Sequence, residues 1–234
     1  MKHLAPIHTH AHDFWFARGS VLLVVILQLL IINHQFLPGP RWLFPTLESL
    51  LLLPLSFATA WTQISVRDAR HSKHWDRVAL LRRWVRRMAL TLTALVTLTN
   101  FASLVTLIRV MLAGHSNISG PSLLLDAMNI WATNVIAFSL IYWSTDRGGP
   151  ASSHLCISDK DDFLFPQETL DQYKDDWTPG FPDYLYLSFT NATAFSPTDT
   201  MPLTDRAKML MMLESAVSLL TLALVAARAV NILS

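Results

Sequence analysis

The sequence predicts an all-α, polytopic membrane protein with five transmembrane helices and a short re-entrant or pore-like helix before the last one. Three observations carry that prediction. The 234 residues are 52% hydrophobic and 15% charged, with a mean hydropathy of +0.35, more apolar surface than a soluble domain can hide. Five stretches approach the roughly 20 residues that a helix needs to cross about 30 Å of hydrocarbon. Charge is segregated along the chain: residues 67–87 hold eight basic and two acidic side chains, and residues 145–183 hold nine acidic and three basic.

The elements follow in order. Residues 1–19 read as a cytoplasmic tail with no cleavable signal peptide. Its "HTHAHD" places His8, His10, His12 and Asp13 within six residues; alternating histidines can hold zinc or copper weakly, but a solvated tail is the expectation and no metal site is assigned. The apolar stretches are 20–37, 44–62, 88–113, 122–144 and 206–233, so that residues 20–144 form a four-helix membrane region. "PGPRW" between the first two allows only a tight turn, because proline cannot continue a helix, and the pair reads as a hairpin. "GHSNISGPS" makes a second hairpin of the third and fourth.

The linker 63–88 sets Arg82, Arg83, Arg86 and Arg87 beside Leu80, Leu81, Trp84 and Val85. Spacings of three and four make this one helix with a basic and an apolar face, lying at the headgroups. Basic residues beside membrane helices mark the cytoplasmic side. Counting crossings from there returns the fourth helix, and with it the acidic loop 145–183, to the cytoplasm. The low Lys and Arg content of that loop suits the outside instead; carboxylates weigh little in topology, so the arginine cluster decides.

The carboxyl-terminal region 184–234 opens on "YLSFTNATAFSPTDT". Residues 184–198 are short for a full crossing, which favours a helix that dips in and returns. At membrane depth such a helix must bond within protein or line water. Thr190, Thr193, Ser196, Thr198, Asp199 and Thr200 are the expected ion path, because carbonyls and hydroxyls freed near Pro197 are the ligands hard cations accept. The alternative is a buried helix whose threonines bond back to their own carbonyls. Asp126 and Glu214 are the ionisable groups inside apolar runs that end-of-helix snorkelling does not explain. With Asn129, Trp131, Thr133 and Asn134, Asp126 gives the fourth helix one polar face that is expected to pack inward. Thr93, Thr97, Asn100 and Thr106 repeat the theme on the third, as hydrogen-bonding glue between helices.

Two resemblances attach to these residues. "FTNATAFSPTDTMPLT" resembles the pore region of the two-helix potassium channel module, with Thr193 as the pore-helix threonine and Asp199, Pro202 and Thr204 matching the segment beyond the filter. The filter glycines of that module are replaced here by "AFSPT". The resemblance implies an oligomer, a tetramer by analogy, conducting monovalent cations. The chain also resembles an uncharacterised bacterial family of polytopic membrane proteins, a domain-of-unknown-function family, through Asp183, Tyr184, Tyr186, Ser188, Phe189, Phe195, Asp199 and Asn231. That implies architecture and a multi-pass place in the inner membrane.

The expected function is cation conduction by an ion channel-like homo-oligomer in the lipid bilayer. Its alternatives are a non-conducting scaffold or lipid sensor that uses the basic linker, and a small ion-coupled carrier that uses Glu214 and Asp126. No catalytic triad, phosphate-binding loop or zinc-protease helix occurs, so no enzyme and no cofactor are expected. With a formal net charge of +1, neither is a nucleic-acid partner. A single cysteine, Cys156, makes no internal disulfide.

Overall fold

The computed structural model of the chain describes residues 11–30, 43, 45–50, 53, 72–112, 120–148, 161–172, 177–193 and 199–233. Five long elements are α-helical: α1 (Ala11–Leu30), α2 (Ser72–Leu112), α3 (Gly120–Thr145), α4 (Phe181–Thr193) and α5 (Asp205–Leu233). Two short strands, β1 (Phe163–Leu164) and β2 (Met201–Pro202), pair antiparallel, Phe163 opposite Pro202.

Three helical stretches are long and apolar enough to cross a membrane: Arg87–Leu112, Pro121–Thr145 and Asp205–Ala227, with Trp15–Leu30 apolar but shorter. Of the expected stretch 44–62, only 45–50 and 53 are described, all helical; the rest lies outside the described residues. Two expected boundaries move. α1 begins at Ala11, nine residues before the predicted start at 20, because Asp13 and Arg18 continue the helix as its polar first turns. The amphipathic linker helix and the third apolar stretch are one uninterrupted helix, α2, of 41 residues, about 60 Å long. Neither proline nor glycine occurs between Ser72 and Leu112 to break it.

α3 is the centre. Its apolar window is 61% buried against 33% for α2 and 17% for α5, and it packs on α1, α2, α4 and α5. One core joins Ala17, Val21 and Val24 of α1 to Leu92 and Val96 of α2, Ile136, Ala137 and Leu140 of α3, and Phe181 of α4. A second joins Leu104 and Leu107 of α2 to Leu123, Ala127 and Ile130 of α3 and Val217 of α5. A third packs Phe138 and Tyr142 with Phe163, Phe165, Tyr184, Leu187 and Ala207, tying the acidic loop to the bundle.

These contacts fix which ends lie together. The start of α1 meets Gly180, where an added Cβ would stand 2.6 Å from Asp13 Oδ1. The end of α3 and the start of α5 meet where Arg206 donates to the Thr145 carbonyl at 3.0 Å. Leu92, near the basic start of the apolar part of α2, packs in the same core as Phe181. The acidic loop and that basic turn therefore share one end of the bundle. α4 enters from this end, and by Met201 the chain is back at it, paired with β1. Around the bundle the outward faces remain apolar: Leu22, Leu23 and Ile26 on α1, Leu98 and Phe101 on α2, Met212, Leu213, Leu219 and Leu220 on α5. A surface of that kind is stable against lipid rather than water. At the shared end, Arg18 stacks over Trp15 at 5.0 Å and Arg87 over Trp84 at 6.0 Å, the pairing of ring and cation expected at a headgroup level.

Candidate functional site: a buried carboxyl among three helices

Helical spacing assembles the site. On α5, Glu214, Ser218 and Thr221 stand at i, i+4 and i+7, so they share one face, and all three are 0% exposed. On α4, Tyr184, Ser188 and Asn191 stand at the same spacing and turn toward α3 and α5. On α3, Asn134 and Tyr142 meet them. Glu214 lies about 14 Å along α5 from Asp205 at 1.5 Å per residue, close to mid-depth of a span.

Three side chains converge on the Glu214 carboxyl. Tyr142 donates its hydroxyl to Oε2 at 2.5 Å and Asn191 donates Nδ2 to the same oxygen at 2.6 Å. Ser188 Oγ stands within donating distance of both Oε1 and the Val135 carbonyl, the latter at 2.7 Å. Asn191 is itself fixed: its amide also donates to the Met211 carbonyl at 3.0 Å, and Ser215 donates to its Oδ1 at 3.0 Å. One turn further along α5, Asn134 donates to Ser218 at 2.9 Å. No salt bridge reaches Glu214 among the described residues.

A second buried carboxyl pair lies at the shared end of the bundle. Asp146 Oδ2 accepts from the Tyr184 hydroxyl at 2.5 Å and Oδ1 accepts the Asp162 backbone N–H at 2.7 Å. Arg147 Nε stands 3.4 Å from Asp146, and its Nη2 pairs with Glu168 at 2.5 Å. Asp162 accepts from Thr204 at 2.5 Å and pairs with Arg206. Arg147 takes φ 51, the left-handed conformation that ends helices and usually needs glycine. The three carboxylates of Asp146, Asp161 and Glu168 around its guanidinium offset a cost of about 1–2 kcal/mol. Burial raises the Asp146 carboxyl above its ordinary value, while the Tyr184 hydroxyl, the Asp162 N–H and Arg147 pull it back.

The sequence-predicted residues fall as follows. Thr190 donates to the Tyr186 carbonyl at 2.9 Å and Thr193 to the Thr190 carbonyl at 3.0 Å, both within α4. Asp199 is exposed and Thr200 is buried. Ser196, Thr198 and the rest of the expected filter, 194–198, lie outside the described residues, as do His8 and His10. Asp126 is buried near the start of α3, with Thr133 and Asn134; it stands on the same helix as the Glu214 partners Asn134 and Tyr142 but is not brought to that carboxyl. Arg82, Arg83 and Arg86 belong to α2, with side chains outside the described set; Arg87 is exposed. On α2, Thr93, Thr97 and Thr106 donate to the carbonyls four residues earlier.

The sequence singled out Glu214 but not its partner Tyr142, nor the Asp146–Asp162 cluster at the end of the bundle. A usable signal was present. In "DYLYLSFTN" the polar residues Tyr184, Ser188 and Asn191 fall on one stripe and Tyr186 and Phe189 on another, and the structure buries Tyr184 and Ser188 while exposing Tyr186 and Phe189. No family model matches the chain, and no curated protein and no solved structure matches it either.

Proposed function

We propose that this chain is a small ion-coupled carrier of the membrane, multi-pass in the inner membrane as the family resemblance implies, and that Glu214 is its proton-exchanging group. One observation carries the reading, and it is a count of protons. A serine hydroxyl has one hydrogen. Ser188 has that one hydrogen for two acceptors, the Val135 carbonyl at 2.7 Å and Glu214 Oε1, and in the proposed neutral state of Glu214 it goes to Val135. The contact between Ser188 Oγ and Glu214 Oε1 is then filled by a hydrogen on the glutamic acid. Oε2, meanwhile, accepts from Tyr142 and Asn191, as the carbonyl oxygen of a neutral acid does. The arrangement satisfies a protonated carboxyl completely, which suits a site with no cation in a low-dielectric span.

Release of the proton has a structural consequence within the same residues. The new anion needs a donor at Oε1, and Ser188 supplies it by turning its hydroxyl from the Val135 carbonyl to the carboxylate. Since Ser188 sits on α4 and Val135 on α3, the protonation state of an α5 residue sets whether α4 is tied to α3. A bistable contact of this sort is what coupling a proton to a helix movement requires. Asn191, only half-buried, gives the carboxyl its way out along α4.

This reading is preferred to the cation path along Thr190 and Thr193 because the inward polar side chains of α4, Ser188 and Asn191, converge on Glu214, whereas Thr190 and Thr193 bond back within α4. It needs no oligomer. The test is proton flux into proteoliposomes carrying an internal pH dye, driven by an imposed potential, together with infrared spectroscopy of the protein in lipid. Wild type is expected to pass protons above empty vesicles and to show a protonated-carboxyl band. Glu214→Gln, folded and monodisperse, is expected to lose both. A wild type with neither flux nor band overturns the proposal.

A further inference from the structure

A second polar site lies in the half of the bundle away from Glu214, between α1, α2 and α3. Gln28, Thr99, Asn100, Ser103, Asn129, Ile130 and Thr133 line a cavity of about 10 Å³, the room of roughly one water. Gln28 is 3% exposed and reaches Glu48, itself 0% exposed, with Nε2 donating to Glu48 Oε1 at 3.0 Å. Asn129 donates Nδ2 to the Leu27 carbonyl at 2.6 Å. Both amides are thus pinned by their nitrogen, and neither can be turned over without facing oxygen to oxygen.

What remains is three buried oxygens that meet no donor among the described residues: Gln28 Oε1, Asn129 Oδ1 and Glu48 Oε2. Of the hydroxyls beside them, Thr99 also stands against the Glu48 carboxyl. Thr99 donates to the Val96 carbonyl and Ser103 to the Thr99 carbonyl, each at 2.9 Å, so both present lone pairs alone to the cavity. The lining is a set of acceptors one hydrogen bond from a buried carboxyl, and none of its residues is basic. A single water brings two hydrogens. It caps the two amide oxygens and leaves the Glu48 carboxyl, one hydrogen bond behind Gln28, with no counter-charge among the described residues.

We propose that this cavity is a binding site for one dehydrated monovalent cation of sodium size, ligated by the amide oxygens of Gln28 and Asn129 and by hydroxyl lone pairs, with Glu48 as its counter-charge. Neutral amide and hydroxyl oxygens are the ligands hard cations take. The room of one water admits either dehydrated ion, and a carboxylate close behind the ligands raises their field, which favours the smaller sodium over potassium. A divalent ion would exceed the single carboxyl's charge. The site does not rest on the role assigned to Glu214.

The experiment is thermal unfolding of the purified full chain in detergent, at matched ionic strength in sodium, potassium or choline chloride. Mass action raises the stability of a protein that binds a ligand only when folded. Sodium is expected to raise the melting temperature by several degrees over choline, in a saturable manner, with potassium weaker. Glu48→Gln is expected to abolish the sodium increment, Asn129→Ala to shift it to higher concentrations, and Glu214→Gln to leave it unchanged. Because a variant can fail to fold, saturable binding of radiolabelled sodium to wild type, competed by unlabelled sodium and not by choline, is the second readout. Equal melting in the three salts, absence of saturable binding, or a Glu48→Gln protein that keeps the sodium increment would each overturn the proposal. The last outcome would identify Gln28 and Glu48 as a neutral amide–acid pair.

Discussion

The chain builds the same pair twice, a tyrosine hydroxyl 2.5 Å from a buried carboxyl, and surrounds it differently each time. Tyr142 and Glu214 meet inside the bundle; Tyr184 and Asp146 meet at its end. At Asp146 both oxygens accept, Oδ1 from a backbone N–H and Oδ2 from Tyr184, with Arg147 alongside. At Glu214 one oxygen has two donors, and the other faces a serine whose single hydrogen also has the Val135 carbonyl within reach. On the proposed reading the first is a carboxylate and the second a carboxylic acid. Position explains the difference, because a cation is affordable at the headgroups, where Arg147 and Arg206 keep access to water, and costly at the depth of Glu214. Charge at the end of the bundle serves to join the acidic loop to α3, α4 and α5. Inside, on the proposed reading, the same chemistry is left free to gain and lose a proton.

The largest effect expected from breaking this comparison is at the end of the bundle. Asp146→Leu leaves the Asp162 N–H and the Tyr184 hydroxyl buried without acceptors and removes one partner of Arg147. At about 1–3 kcal/mol for each orphaned group, a loss of about 3 kcal/mol or more is expected. Unfolding in detergent measures it, and the β1–β2 pairing should go first, seen as protease cleavage within 145–183 ahead of global unfolding.

Amide isosteres sharpen the comparison further. Asn in place of Asp146 can accept from Asp162 but turns hydrogens toward Tyr184 and Arg147, so about 1–3 kcal/mol should be lost. Gln in place of Glu214 keeps an oxygen for Tyr142 and Asn191 and offers Ser188 an N–H where the acid offered an O–H, so the expected loss is below about 1 kcal/mol. Equal losses at the two positions would remove the distinction between them.

Acidity supplies a smaller test. Burial puts the folded-state value of Asp146 above its ordinary 3.8, so the folded chain holds that proton more firmly than the unfolded one. The associated stability is complete below the ordinary value and is lost as pH rises through the folded one. Melting temperature measured against pH should therefore fall less over that acidic interval in Asp146→Asn than in wild type. An unchanged slope would assign the titration to another group.

Much of the membrane architecture was legible because its cause is composition. Apolar length predicts spans wherever lipid is the solvent, and the inward polar face of α3 followed from the spacing of Asp126, Asn129, Thr133 and Asn134. Glu214 stood out for the same reason, as a charge in an apolar run. What composition could not give was partnership. Tyr142 reads as an ordinary membrane aromatic until Glu214 is placed 72 positions away, and Asp146 and Asp162 read as solvated loop charges until Thr204 and Arg206 close on them. The union of the basic linker with α2 was also hidden, because a change of hydropathy looks like a boundary although the backbone has no reason to stop.

The smallest effect is expected where the sequence drew the eye first. Thr193 resembles a pore-helix threonine, and its hydroxyl donates to the Thr190 carbonyl within α4. A hydroxyl used this way competes weakly with the helix's own bonds and adds little to stability. Valine keeps the branched shape and its rotamer preference, so Thr193→Val should change stability by less than about 0.5 kcal/mol. The flux comparison gives the change its value. If protons move by way of Glu214, Thr193→Val vesicles should acidify at the wild-type rate while Glu214→Gln vesicles do not. If instead cations pass beside Thr193, the loss of the hydroxyl should cut potassium or sodium flux with stability intact, and the conducting role would return to α4 and the segment that follows it. The two variants, each close to neutral for folding, thus separate a proton site between three helices from a path along one of them.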